Sequence, residues 1–242
     1  MSIFSRFFGS RQFPPVQKDT WPNKVSWGAL KDGHTVVTED GPRFLWTVDC
    51  GKLVLPSGRL AACDPFVFLS PRSTPFIVTP KGRFPVAVTL ADVSEKQDRS
   101  HVREAYASIV FSDRPEAYRK SLPLAIDGQE RPEQLGDEFV GFGVDAGTAC
   151  FVDESVIESC MPEPQTWHES LFDNERSDCW FRLMDDPNHI REGIANLVLP
   201  LAKNGENLIL FHSGWGDGVY PVVGSFDKAG RLVAAHIDFM VL

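Results

Sequence analysis

Basic residues are in short supply: 24 Lys plus Arg stand against 33 Asp plus Glu, a formal charge of −9. A field of that sign repels a polyphosphate, and the basic residues are scattered apart from Arg6, Arg11, Lys18 and Lys24, so no nucleic acid is expected as a partner. No window approaches the roughly 18 apolar residues of a spanning helix, so no membrane is expected either. Met1 to Gly9 are briefly apolar and basic but lack the apolar run and cleavage site of a signal peptide, and a cytoplasmic chain is expected. The five cysteines, Cys50, Cys63, Cys150, Cys160 and Cys179, are odd in number and include no CxxC pair. That argues against a disulfide framework or zinc knuckle and for reduced, partly buried thiols. None of the six histidines has the HxxxH or HExxH spacing by which one helix holds zinc. Gly141-Phe-Gly143 misses the dinucleotide fingerprint, because Gly147 comes one position late and no βαβ unit surrounds it. No cofactor is expected.

What the 242 residues do contain is enough apolar material, 43%, for one core that folds without staples. Residues 1–33 carry Pro14, Pro15, Pro22 and the rings Phe13, Trp21 and Trp27 without period, which predicts an arm lying over a single β-rich domain, 34–242. From Thr35 onward short β-branched and aromatic runs alternate with turn signals at intervals of about ten residues, the spacing of a sandwich or barrel. Strands are predicted at 35–38, 43–48, 52–55, 66–69, 76–79, 84–90 and 104–111, with a turn at Asp49-Cys50-Gly51 and a helix entering at Pro115–Lys120. Residues 121–138, with Pro123, Asp127-Gly128 and Pro132, predict a mobile loop.

Asp153 is the predicted N-cap of a helix whose buried face is Val156, Ile157, Cys160 and Met161, with Pro162 stopping it. Thr166-Trp-His-Glu169 has the form of a capping box, and Asp186-Pro187 opens a third short helix over 187–192. The chain closes in strands at 195–199, 208–212, 219–226 and 232–241, with Asp227–Gly230 as a hairpin turn. The expected fold class is α+β, a mainly antiparallel β sandwich or partly open barrel with a few short helices.

Three blocks stand out: Leu55-Pro-Ser-Gly-Arg-Leu-Ala-Ala-Cys-Asp64-Pro65, Gly143-Val-Asp145-Ala-Gly147-Thr-Ala-Cys-Phe-Val-Asp153, and Phe211-His-Ser213-Gly-Trp215-Gly-Asp217-Gly-Val-Tyr220-Pro. In this order, with Phe226 to Phe239 behind them, they resemble the bacterial family catalogued as domain of unknown function 4241, over about residues 50–242. The resemblance implies a soluble bacterial protein. Families of this kind often accompany secreted toxins as immunity proteins, so it also implies a toxin as a possible partner.

Glycines at 214, 216 and 218 let the backbone around Trp215 and Asp217 take positive φ or approach another group closely. The plain structural account is a tight loop with Trp215 plugging the core and Asp217 bonding turn amides; the functional account presents Asp217 and Ser213 to a ligand. Asp64, Asp145 and Asp217 are the candidate ligands if the aspartates converge, favouring magnesium or calcium and metal-assisted hydrolysis. A Ser213, His236, Asp238 nucleophile set is a weaker candidate, since Ser213 lacks the Gly-x-Ser-x-Gly elbow. Asp145-Ala-Gly147-Thr148 matches a phosphate-loop fragment of the actin-like ATPases in four residues only.

Between Glu163 and Asp186 aromatics interleave with acids, and Trp167, Glu169, Asp173, Glu175, Asp178 and Trp180 are the candidate binding residues for a basic protein. The leading expectation is a non-enzymatic, protein-binding role of the toxin-immunity type. The alternative is a metal-assisted hydrolase using Asp64, Asp145, Asp217 and Ser213 at one sheet end.

Overall fold

The computed structural model describes residues 26–126 and 141–242. In chain order the strands are β1 (Thr35–Thr38), β2 (Gly41–Leu55), β3 (Arg59–Cys63), β4 (Phe76–Val78), β5 (Gly82–Asp92), β6 (Val102–Val110) and β7 (Tyr118–Ser121). They continue as β8 (Gly141–Val144), β9 (Thr148–Asp153), β10 (Ile194–Val198), β11 (Asn207–His212), β12 (Gly218–Phe226) and β13 (Leu232–Asp238). One sheet runs β1-β2-β5-β6-β13-β12-β7, with β8 also on β12; the second runs β10-β11-β9-β3-β4, and both are antiparallel throughout. The expected mainly antiparallel fold is the one observed.

The main core lies between the sheets. Leu53, Val88, Leu90, Ile109 and Ile237 of the first sheet meet Phe151, Ile209 and Phe211 of the second. The second sheet is buried on both faces: in β9 and β11, Phe151, Ile209 and Phe211 point inward while Cys150, Val152, Leu208 and Leu210 point to a helical layer. Strands covered on both sides read as continuous apolar runs, which is why these two alternate so weakly in sequence. The outer face of the first sheet carries a third cluster, in which Trp27 packs on Tyr106 with ring centroids 4.7 Å apart. Of the predicted arm, residues 1–25 lie outside the described residues, as do residues 127–138 of the predicted loop.

Several local expectations are corrected. Asp49-Cys50-Gly51 does not end a strand: β2 runs through it with a bulge, Gly51 taking φ +80° and donating to Asp49 Oδ1 at 2.8 Å. The second sheet stitches this bulge in place, Asn196 donating to Cys50 O and Asn207 to Lys52 O. Residues 115–120 do not begin a helix; Tyr118–Ser121 pairs with β12, and Tyr118 stacks on Phe226 at 5.2 Å. Residues 66–69 form no strand: the chain turns over 65–68, with Phe68 N donating to Asp64 O.

Helix α1 (Glu154–Cys160) starts on Asp153 and buries Val156, Ile157 and Cys160 as its sequence predicts. The capping box does not form: Thr166 Oγ1 donates back to Glu163 O at 2.8 Å, closing the short turn Pro164–Thr166, and a wide turn His168–Phe172 follows. The last helix is α2 (Trp180–Asp185), and it ends where a helix was expected to begin. Trp180 and Met184, one turn apart, hold it to the second sheet; Asp186 then bonds Asn188 N at 2.8 Å as a turn.

Candidate functional site

The chain crosses from the second sheet to the first in Ser213–Asp217, between β11 and β12. Gly214 and Gly216 take φ +63° and +99° there, and a Cβ on Gly214 would sit 2.9 Å from Phe239 Cβ and 3.0 Å from Glu104 O, so glycine alone fits the crossing. The loop is tied from within and without. Ser213 Oγ and Tyr220 Oη both donate to Gly216 O, at 2.8 and 2.7 Å. Ser213 N donates to Gly147 O, and Gly147 N donates to Asp217 Oδ1 at 3.1 Å.

The three sequence blocks do therefore meet, at the turn between β8 and β9. Asp64, fully buried, accepts from Asp145 N at 3.0 Å and Ala146 N at 2.7 Å through Oδ2, and from Phe66 N at 3.0 Å through Oδ1. Burial pushes its carboxyl up, and these backbone amides pull it back. Asp145 and Asp217 are exposed. What joins Asp64, Asp145 and Asp217 is carboxylate-to-amide bonding, and among the described residues no three His, Cys, Asp or Glu side chains group to hold a metal. With Asp64 committed to amides, titration with magnesium, manganese or calcium is expected to give neither heat nor a thermal shift; either signal would restore the metal reading.

Ser213, His236 and Asp238 do not assemble. The Ser213 hydroxyl is spent on Gly216, His236 bonds Ser225 at 3.0 Å and Ser108 at 2.8 Å, and Asp238 accepts from Met240 N. Nor does Trp215 plug the core. It is 55% exposed, with the Arg103 guanidinium 5.2 Å from its ring centroid and His101 edge-on at 6.1 Å. Arg103 Nε is buried and has no hydrogen-bond partner among the described residues.

Beneath this group, and missed in the sequence, lies Glu104 of β6, whose side chain is 7% exposed and stands 3.5 Å from Arg191 Nη1. Burial pushes its carboxyl up to about 7, against the pull of Arg191 and Arg103. A carboxyl whose folded value lies above its unfolded one stabilises below about pH 4.5 and loses that contribution as pH rises through 7. Glu104→Gln is therefore expected to match the wild type near pH 4 and to exceed it at pH 8 by about 2–3 kcal/mol in urea unfolding. His236 works in the opposite sense. Burial holds it down at about 3, so its contribution is lost as pH falls from 6.5 toward 3, and that acid limb should persist in the variant.

In the helical layer, Trp167 and Trp180 are buried in the core beside Phe172, and Trp167 Nε1 donates to Pro162 O at 2.8 Å. These two of the candidate binding residues thus face inward. Glu169, Asp173, Glu175 and Asp178 are exposed, Asp178 paired with Arg176. Among the described residues no helix is long and apolar enough to cross a membrane.

No curated protein and no solved structure matches this chain. Residues 53–237, which include every block that meets at the corner, match the family described as "Protein of unknown function (DUF4241)", and the chain belongs to that family.

Proposed function

We propose that this protein works in the cytoplasm by holding a partner protein, in the manner of an immunity protein covering a toxin, and carries out no reaction of its own. The observation that carries the reading is Trp215, more than half exposed on a loop that five hydrogen bonds fix from several directions. A rigid aromatic beside an arginine loses little entropy on binding, and Trp and Arg are enriched among residues that dominate interface energies. The solvated acids Glu169, Asp173 and Glu175, with the overall charge of −9, favour a partner with a basic face. Metal-assisted hydrolysis has lost its main support, because Asp64 gives its oxygens to amides.

The test is affinity for the protein that co-purifies from the native cells. Trp215→Ala is expected to weaken binding about 30-fold while leaving the fold intact, since the ring covers little core. Lys at Asp173, Glu175 and Asp178 together should slow association at least about tenfold at low salt and much less at 0.5 M. Unchanged affinity in both variants, or a chain that purifies alone, would defeat the reading.

A further inference from the structure

Cys63 and Cys150 are register partners on adjacent strands β3 and β9, and their Sγ atoms stand 3.7 Å apart with both side chains buried. Directly opposed residues of an antiparallel pair have Cα atoms about 4.5–5.5 Å apart, inside the range a disulfide spans. Closing the bond therefore needs only side-chain rotation. The pair also sits where the corner is anchored: Cys63 precedes Asp64, and Cys150 follows the turn whose amides Asp64 holds. Cys50, Cys160 and Cys179 are free and buried elsewhere.

We infer that Cys63 and Cys150 form a reversible disulfide latch under peroxide, locking β3 to β9 and with them the Asp64-held corner. The chemistry balances with hydrogen peroxide as the oxidant. One thiolate attacks a peroxide oxygen, an S–O bond forms as the O–O bond breaks, and hydroxide leaves as water with the thiol's proton. The second sulfur then attacks the sulfenic sulfur, forming S–S as S–O breaks and releasing a second water. Two thiols lose two electrons in all, and one peroxide becomes two waters. Peroxide is small enough to reach the pair through a local opening. Burial, reinforced by the neighbouring thiol, holds Cys150 well above its usual range, so the step runs at the pace of that opening.

The reduced, purified chain is treated with hydrogen peroxide, quenched, unfolded and alkylated. Two of the five thiols should escape alkylation, the mass should fall by about 2 Da, and mapping should show a Cys63–Cys150 linked peptide. Because the bridge closes a loop between residues 87 apart, Tm should rise by about 5 °C or more and return on reduction by dithiothreitol. Cys63→Ala and Cys150→Ala should each abolish the linkage and the Tm rise. The wild type alone decides the matter should either variant unfold. Five thiols still alkylated, a sulfinic acid at Cys63 or Cys150, or a bridge through any other cysteine would overturn the latch.

Discussion

Asp153→Ala is expected to destabilise the fold by about 4–5 kcal/mol, measured as the shift in urea midpoint at constant slope. The carboxylate is fully buried and accepts five hydrogen bonds: Ser57 N and Oγ at 2.9 and 2.6 Å, Gly58 N at 3.2 Å, and Ser155 N and Oγ at 3.0 and 2.7 Å. It caps α1 and, with the same two oxygens, closes the turn by which β2 of one sheet leads into β3 of the other. Alanine would strand the buried Gly58 N and leave the part-buried Ser57 and Ser155 donors without their acceptor, and stranded donors cost more than the net worth of the bonds they made. Gly58 is itself fixed as glycine by its surroundings. It holds φ +74°, and a Cβ there would run into Thr79 O, so no residue with a side chain can take its place in the turn. Asp153→Asn keeps one acceptor and sets an NH2 group against donors, and should cost about half as much. A loss below about 1 kcal/mol in the alanine variant would mean that water enters and replaces the carboxylate.

The second large effect belongs to Asp64→Ala, expected to cost about 3–4 kcal/mol. Three amides lose their acceptor, and two of them belong to the β8–β9 turn on which the Trp215 loop rests. Hydrogen exchange should therefore accelerate together at 145–147 and 213–217, two segments far apart in sequence. Asp217→Ala provides the contrast. Its carboxylate is exposed and accepts the single amide of Gly147, so its loss should cost about 0.5–1 kcal/mol and leave exchange at Asp145 and Ala146 unchanged. Equal effects from the two variants would show that the corner is not organised around Asp64.

Asp153 and Asp64 grip the same strand pair, β3 and β9, from its two ends, and the three sequence blocks owe their joint appearance to that arrangement. Each block supplies a turn at a point where the chain passes between or along the sheets. The glycines supply backbone conformations other residues avoid, and the aspartates supply acceptors for the amides such turns expose. Trp215 is the large apolar side chain of these blocks that stands outside the core, touching Arg103 and His101 with more than half its surface exposed, which is why the binding proposal rests on it.

Many strand positions, though not those at 66–69 and 118–121, the hairpins at Asp40-Gly41 and Asp227–Gly230, and the start of α1 could be read from the chain because each is written in contiguous residues. Alternation, turn residues and caps act over a few positions. The bulge at Asp49–Gly51 could not be read so, since the groups that make it part of a strand are Asn196 and Asn207, 146 and 155 residues from the carbonyls they bond. The Thr166 box failed for a related reason. Its hydroxyl had a competing acceptor at Glu163, and the positions of Trp167 and Trp180 were set by the apolar face of the second sheet rather than by local propensity.

At the site the division is sharper. Residue order marked Asp64, Asp145, Ser213 and Asp217 as worth watching, yet their oxygens could be assigned to a ligand or to amides with equal ease on paper. In the fold Asp64 and Asp217 accept from backbone amides, and the Ser213 hydroxyl donates to Gly216 O. Glu104, Arg191 and the outward turn of Trp215 left no trace in any motif, because burial and exposure at a sheet end depend on which strands arrive there. Local chemistry is encoded by neighbours along the chain; charge environment and accessibility are properties of neighbours in space, and those exist only once the two sheets have closed on each other.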